Sequence, residues 1–282
     1  MKFSLIMATL GRSDEIERML DSLLQQAYAD LEVIIVDQNP DARVARIVER
    51  YRERYRERLC IVHLRSEKGK SRATNVGLQA VTGDVVAFPD DDCWYRPGTL
   101  HAVAALLSAD RMLDGVTGMS IDAAGRPSQG RWATAAQPVN RFNVWVCATS
   151  YTIFLRRSAV SAAGQFDVEL GVGATSRWGA GEEVDFLVRA LRAGCRIGYD
   201  PQLRVHHPEP LAVLDEHAYA RGRRYNRGFG HVLRINRYPL AYVLYMIARP
   251  VAGCALAFAR RNPQRAKYYW IAASHRLLGW MD

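Results

Sequence analysis

The sequence is poor in the residues that staple small secreted folds or build metal ribbons. Its 282 residues include five cysteines: Cys60, Cys93, Cys147, Cys195 and Cys254. The number is odd and no two stand in a C-x-x-C pair. That excludes a disulfide framework and a zinc ribbon, and it points to reduced thiols in a reducing compartment. Internal repeats and low-complexity segments are absent. A composition of 49% hydrophobic and 24% charged residues excludes intrinsic disorder. No G-x-x-x-x-G-K-S/T loop occurs, and no G-x-G-x-x-G follows the first apolar run, so a P-loop and a dinucleotide fold are disfavoured. Lys2 is followed by only a short apolar stretch before Gly11-Arg12, so no signal peptide is expected.

Net charge is missing from most of the chain. Residues 1–210 hold 26 basic and 26 acidic residues, whereas residues 211–282 hold 12 basic and three acidic ones. The whole excess of +9 therefore sits at the C-terminal end. Basic charge concentrated in this way suits an anionic partner such as phospholipid, nucleic acid or a phosphorylated substrate. Nucleic acid is disfavoured, because the charge lies among apolar runs instead of along a face with stacking aromatics.

The first two-thirds alternate between strand and helix periods. Short apolar runs at 2–8, 31–36, 60–64 and 84–88 read as strands. Between them, 13–26, 42–59 and 71–80 carry helical spacing. Pro97 suits the first position of a helix reaching Ser108. This alternation predicts an α/β fold with a mostly parallel sheet. Further on, 115–119, 147–155, 196–199 and 203–206 read as strands, and 182–193 as a helix ended by Gly194. Residues 211–236 read as a basic helix. Two apolar runs, 240–248 and 251–259, follow it, interrupted by Arg249-Pro250. Together they reach the length of a spanning helix, but a central arginine and a proline argue against spanning. Two readings stay open: a helix lying on or dipping into a bilayer surface, and a helical pair packed on the body.

The chemistry gathers at strand ends. Asp90-Asp91-Asp92 follows Val85–Phe88, where open α/β sheets bind ligands. In extended chain Asp90 and Asp92 point the same way, and adjacent carboxylates need a cation between them. Hard oxygen donors suit Mg2+ or Mn2+ with phosphate oxygens. Asp37 ends the second strand and could accept bonds from a base or ribose. Lys70-Ser71-Arg72-Ala73-Thr74-Asn75-Val76-Gly77 is a basic, glycine-flanked helix entry suited to a diphosphate. Gly179-Ala180-Gly181-Glu182-Glu183-Val184-Asp185 places acids at a helix start. The choice there is between ordinary capping and a general base. Trp178 could shield the site or stack on a sugar. His206-His207-Pro208 ends a strand, and a neutral imidazole there could complete a metal shell.

In this order and spacing, over residues 2–210, the motifs resemble the family 2 glycosyltransferases, nucleotide-sugar enzymes of the GT-A fold. The resemblance implies a catalytic domain over 1–210, with a nucleotide-sugar half at 1–110 and an acceptor half at 111–210. It leaves 211–282 as a basic helical, membrane-associated extension. It implies donor contacts from Ala8, Thr9, Arg12, Asp37, Lys70, Arg72, Asn75, Asp90 and Asp91. Asp92, Asp90 and His206 would hold Mg2+ or Mn2+. Glu183 takes the catalytic-base position, with Glu182 its competitor, and Trp178 and Asp185 face the acceptor. The sequence departs from the family at Leu10-Gly11, at Thr74 and at Glu183, where Tyr-Asn, Arg and Asp are more usual. The implied reaction is inverting, metal-dependent transfer of a hexosyl or deoxyhexosyl group. The donor would be a nucleoside-diphosphate sugar, above all a UDP-sugar. The acceptor would be a hydroxyl of a saccharide or lipid-linked chain in cell-surface polysaccharide synthesis. The expected location is cytoplasmic, peripheral on the inner face of the membrane. The alternative is another metal-dependent nucleotide-sugar enzyme, such as a nucleotidyltransferase.

Overall fold

The computed structural model describes residues 1–209 and 213–282. The chain forms two compact units: Met1–Phe166 with Phe186–Pro210, and Asp167–Asp185 with Leu211–Asp282. The division expected after residue 210 falls outside the described residues, as does the expected helical start at 211. One assignment differs from expectation. Residues 167–185 cluster with the C-terminal helices and not with the rest of 1–210.

The first unit is built on one mixed sheet. Strands β1 (Phe3–Thr9), β2 (Leu31–Asp37), β3 (Cys60–Arg65) and β4 (Val85–Ala87) run parallel in the order β3-β2-β1-β4. Every residue of β2 is buried. An unbroken apolar run such as Val33–Val36 is what a strand covered on both faces requires. Phe3, Leu5 and Met7 of β1 pack with Ile16, Met19, Leu20 and Leu23 of helix α1 (Asp14–Leu24) in one core. Helices α2 (Arg43–Tyr55) and α3 (Lys70–Leu78) make the next crossovers. The sheet continues beyond β4 through β8 (Ile153–Arg156), β6 (Gly115–Ile121), β9 (Ile197–His206) and β5 (Trp94–Tyr95). A short β7 (Gln137–Pro138) pairs with β9. β8 and β5 are antiparallel to their neighbours, so the parallel pattern read from the sequence holds for the first four strands and again for β6 with β9.

Three local expectations are corrected. Residues 147–155 are not one strand: Thr149 and Thr152 cap each other across a short 3-10 turn, and the strand starts only at Ile153. Pro97 lies outside helix α4 (Thr99–Ala109), because Gly98 first turns through φ +81°. The two short strands at 196–199 and 203–206 are one strand, β9, which pairs with β6 across an irregularity between Thr117 and Met119. Helix α5 (Arg157–Ala163), β5 and β7 were not legible in the sequence.

The second unit holds α7 (Glu216–Ile235), α8 (Leu240–Ala259) and α9 (Pro263–Met281). The first turn of α6 (Glu182–Arg192) belongs to this unit and the remainder to the first. At two glycines α7 and α9 approach backbone to backbone. A Cβ on Gly230 would stand 2.0 Å from the Arg276 carbonyl oxygen, and one on Gly279 would stand 1.9 Å from that of Arg227. α7 and α9 are therefore packed directly on each other.

The two apolar runs around Arg249-Pro250 form a single helix, α8. Proline lacks the N–H that would bond the carbonyl four residues back. That carbonyl belongs to Met246, and the guanidinium Nη1 of Arg276 donates to it at 2.7 Å. Nη2 of Arg276 donates to the Asn226 side chain at 2.8 Å. Burial pulls the Arg276 pKa down to about 10. A charged donor on α9 thus satisfies the carbonyl that Pro250 orphans on α8. A hydrogen bond from a charged group contributes about 1.5–3 kcal/mol. Arg276→Met should lower thermal stability by about that amount. The loss should shrink when Pro250→Ala restores the missing N–H. Equal losses in both backgrounds, in a double-mutant melting cycle, would contradict this pairing.

Candidate active site

In the first unit the carboxyl ends of β1, β2 and β4 meet the start of α3 and the end of β9. Asp90, Asp91 and Asp92 follow β4 after Phe88 and Pro89, and each meets a different cation. Lys70 Nζ, at the first residue of α3, lies 2.6 Å from Asp90 Oδ1 and 2.8 Å from the Ser150 hydroxyl. Ser150 Oγ donates to the same Asp90 oxygen at 3.1 Å. Arg12, in the turn after β1, bonds Asp91 and reaches Asp92 Oδ2 at 2.7 Å. Thr9 Oγ1 donates to Asp91 at 2.7 Å. His207 Nε2 stands 3.0 Å from Asp92 Oδ1 and 4.0 Å from Asp90 Oδ2.

The electrostatics follow from this pairing. Asp91 is 8% exposed, and burial raises its pKa to about 6 despite Arg12 and Thr9. Burial also pushes Asp92 upward, but His207 and Arg12 outweigh it and hold the carboxyl below the usual range. Burial lowers His207, and Asp92 outweighs that and raises it. The charge that three neighbouring carboxylates would otherwise repel is spread over Lys70, Arg12 and His207.

Asp90, Asp92 and His207 offer ligand atoms that all lie within 4.8 Å of one another. Two carboxylates and one imidazole form a hard, anionic donor set that fits Mg2+ or Mn2+ with room for phosphate oxygens. The Tyr151 ring stacks on His207 at 4.7 Å, and His207 Nδ1 lies 2.8 Å from the Pro208 carbonyl. With a divalent cation bound, that carbonyl could hold a proton on Nδ1 and leave the Nε2 lone pair for the cation.

The structure replaces His206 with His207 in this cluster. His206 ends β9 paired with Trp94, stacks on that indole at 4.9 Å and bonds the Asp122 carbonyl through Nδ1 at 2.9 Å. Alternation along the strand sends the two neighbours to opposite sides. The Trp94–His206 register that decides between them is a tertiary fact with no local sequence signal. Ser150 and Tyr151 were also missed, since they enter on the turn before β8.

Other expected donor residues are placed as follows. Ala8 and Thr9 lie at the end of β1, level with Val36 and Asp37. Asp37 is fully buried. Its Oδ2 meets Arg65 at 2.5 Å and His63 at 3.3 Å, and its Oδ1 accepts from the Asn39 backbone and amide, each at 2.8 Å. Arg72 is half-exposed and reaches Glu67 at 3.4 Å. Asn75 does not present its amide to a ligand pocket. It closes on the backbone of Phe166, donating to the oxygen and accepting from the nitrogen, both at 2.8 Å. Its role here is to pin that loop.

The second unit carries the acids of α6. Glu182 is buried and Glu183 is partly exposed in the first helical turn. Gly181 precedes them at φ +99°, against Val232 of α7. Asp185 is 4% exposed and accepts from the Asn236 amide at 2.8 Å, which places it in the scaffold and not at an acceptor surface. Trp178 stacks on His231 with ring centroids 3.5 Å apart, so one face of the indole is already covered. Its loop is strapped to α7. Gly179 N donates to the Arg224 carbonyl, and Arg224 donates to the carbonyls of Ala174 and Ser176. Gly228 allows the approach, since a Cβ there would stand 2.2 Å from the Ala180 oxygen.

Known proteins resemble this chain in sequence and in fold. The family model described as Glycosyl transferase family 2 matches residues 4–161. The succinoglycan biosynthesis protein ExoM of Rhizobium meliloti is 28% identical over 222 residues, covering 74% of this chain and 69% of that protein. The matched stretches span only 32% and 65% of the lengths of the first curated relatives. Among solved structures, S. aureus TarS 1–349 in complex with UDP-GlcNAc superposes with a TM-score of 0.60 at 19% identity, covering 98% of this chain and 92% of that one. A mannosyltransferase of Pyrobaculum calidifontis, in complex with GDP-Man and Mn2+, gives 0.64 at 19% identity, covering 98% and 87%. The fold is the GT-A α/β fold.

The geometry separates the two histidines by experiment. His207→Ala should weaken Mn2+ binding by about tenfold or more, as loss of a metal-site group does. His206→Ala should leave it within about twofold. Titration of free Mn2+ by electron paramagnetic resonance reads both, and the reverse ranking would contradict the assignment.

Proposed function

Because the chain belongs to glycosyl transferase family 2, we propose that it moves a sugar from a nucleoside-diphosphate donor to an acceptor hydroxyl with inversion. The supporting observation is the cluster of Asp90, Asp92 and His207 at the strand ends, with Lys70 and Arg12 beside it. A UDP-sugar is the donor we favour, in line with the UDP-GlcNAc complex of TarS. The acceptor is a saccharide or lipid-linked chain of a surface polysaccharide, in line with ExoM. An anionic membrane surface on the cytoplasmic side would present such an acceptor.

Asp90, Asp92 and His207 would hold Mg2+ or Mn2+, which supplies charge neutralisation on the leaving diphosphate. Lys70 and Arg12 are cations already held beside the cluster, placed to stabilise negative charge as it develops on the phosphate oxygens. Thr9 keeps Asp91 oriented, and Asp91 in turn holds Arg12. Glu183 acts as the general base. It takes the proton from the acceptor hydroxyl as that oxygen bonds to the anomeric carbon and the bond to the diphosphate oxygen breaks. Attack from the face opposite the leaving group inverts the anomeric centre. Glu183 is favoured over Glu182 because it is the more exposed of the two.

Glu183→Gln should cut turnover by about 10²–10⁴-fold, the usual worth of a general base, while donor affinity changes little. Asp92→Ala should lose both turnover and divalent-dependent donor binding. Product analysis on these variants and the parent checks the assignment. If Glu182→Gln is the damaging change, the base is misplaced by one residue. Release of pyrophosphate in place of a nucleoside diphosphate would overturn the reaction class.

A further inference from the structure

Among the described residues α8 is the one helix long and apolar enough to cross a membrane. Its surface is divided in an unusual way. Val243, Met246, Pro250 and Ala257 are buried within the second unit. The residues exposed along the whole helix are apolar without exception: Leu240, Leu244, Tyr245, Val251, Leu256 and Phe258, with alanines between them. At 3.6 residues per turn they fill one arc of about 160°, over a length of about 30 Å. Phe258 is 68% exposed and Leu240 57%. Arg249, the one charged residue in the helix, sits at the edge of this arc, half-buried and over the Tyr245 ring. Exposed arginines stand at both ends: Arg237 just before the helix, Arg260 and Arg261 just after it.

We infer that α8 is a monotopic anchor: it lies flat in the headgroup region of an anionic bilayer with this arc in the acyl boundary. Three observations select that occupant. A charge-free arc bounded by cations is the signature of an interfacial helix, and the arginines at its ends match anionic headgroups. Spanning is disfavoured because the other side of α8 is packed on α9, through Arg276 on Met246 and Tyr269 on Gly253. α9 carries Arg265, Lys267, His275 and Arg276 and cannot follow α8 into hydrocarbon. A second copy of the chain is disfavoured by charge. Antiparallel pairing of two α8 helices sets Arg237 against Arg260 and Arg261, and parallel pairing sets each end against itself.

The inference rests on the membrane partner proposed above and not on the transfer chemistry. The test is flotation of the full chain with vesicles of phosphatidylcholine alone or mixed with phosphatidylglycerol. Binding should require the anionic lipid and should be released by alkaline carbonate. Val251→Glu with Phe258→Glu should abolish flotation without shifting the melting temperature, since both side chains are exposed. Arg260→Gln with Arg261→Gln should weaken partition by about tenfold or more, since each basic residue near such a surface adds roughly a fivefold factor. Flotation unaffected by the glutamates, or no flotation of the parent, would overturn the anchor. Retention after carbonate would show a spanning helix instead, and a dimer lost in the glutamate variant would show a second copy. A nucleotide-sugar binding assay on the same samples keeps failure of the anchor distinct from failure of the transferase reading.

Discussion

Three consecutive aspartates at the end of a buried strand are the constraint on which the first unit depends. Carboxylates this close repel, and each is partly removed from water. The chain answers with a separate cation for each: Lys70 from the start of α3, Arg12 from the turn after β1 and His207 from beyond β9. Those three elements are distant in sequence. Their convergence fixes where β1, β4 and β9 must end. It also gathers three positive groups at one set of strand ends. Preorganised charge of this kind is what a leaving diphosphate needs, because reorienting dipoles during the reaction would cost part of the rate gain.

The second unit solves a different problem. Its segment 167–181 has little regular structure of its own yet carries Trp178 and leads into Glu182 and Glu183 of α6. Close contact substitutes for secondary structure. Glycines on α7 let the loop and α9 lie directly on its backbone, and Arg224 ties the loop by its carbonyls. The same economy appears inside α8, where Arg276 repairs the carbonyl that Pro250 leaves open. The basic C-terminal helices thus serve as scaffold on one side, and α8 keeps an apolar face on the other.

Much of the fold was legible because buried parallel strands write themselves as apolar runs. Val33–Val36 and Val85–Ala87 could hardly be anything else, and the acid-bearing strand end after β4 followed directly. The segment 147–155 misled because its apolar residues serve a capped 3-10 turn before a short strand. Arg249-Pro250 looked like a break, since the residue that repairs it lies on another helix. The histidine pair at 206–207 marks the same limit at the site. Strand alternation says the two must diverge, but only the pairing with Trp94 says which one meets the aspartates. Asn75 and Asp185 show the converse. Motif position suggested ligand contacts, whereas burial gave their polar groups to Phe166 and Asn236.

The central claim is that the strand-end acids bind a nucleoside-diphosphate sugar through a divalent cation. Thermal stabilisation by a panel of nucleotide sugars, with Mn2+ and again with excess chelator, tests it most directly. The account predicts stabilisation by a selected donor that vanishes with the chelator. Equal stabilisation in both conditions, or stabilisation by nucleoside triphosphates and by no nucleotide sugar, would contradict it.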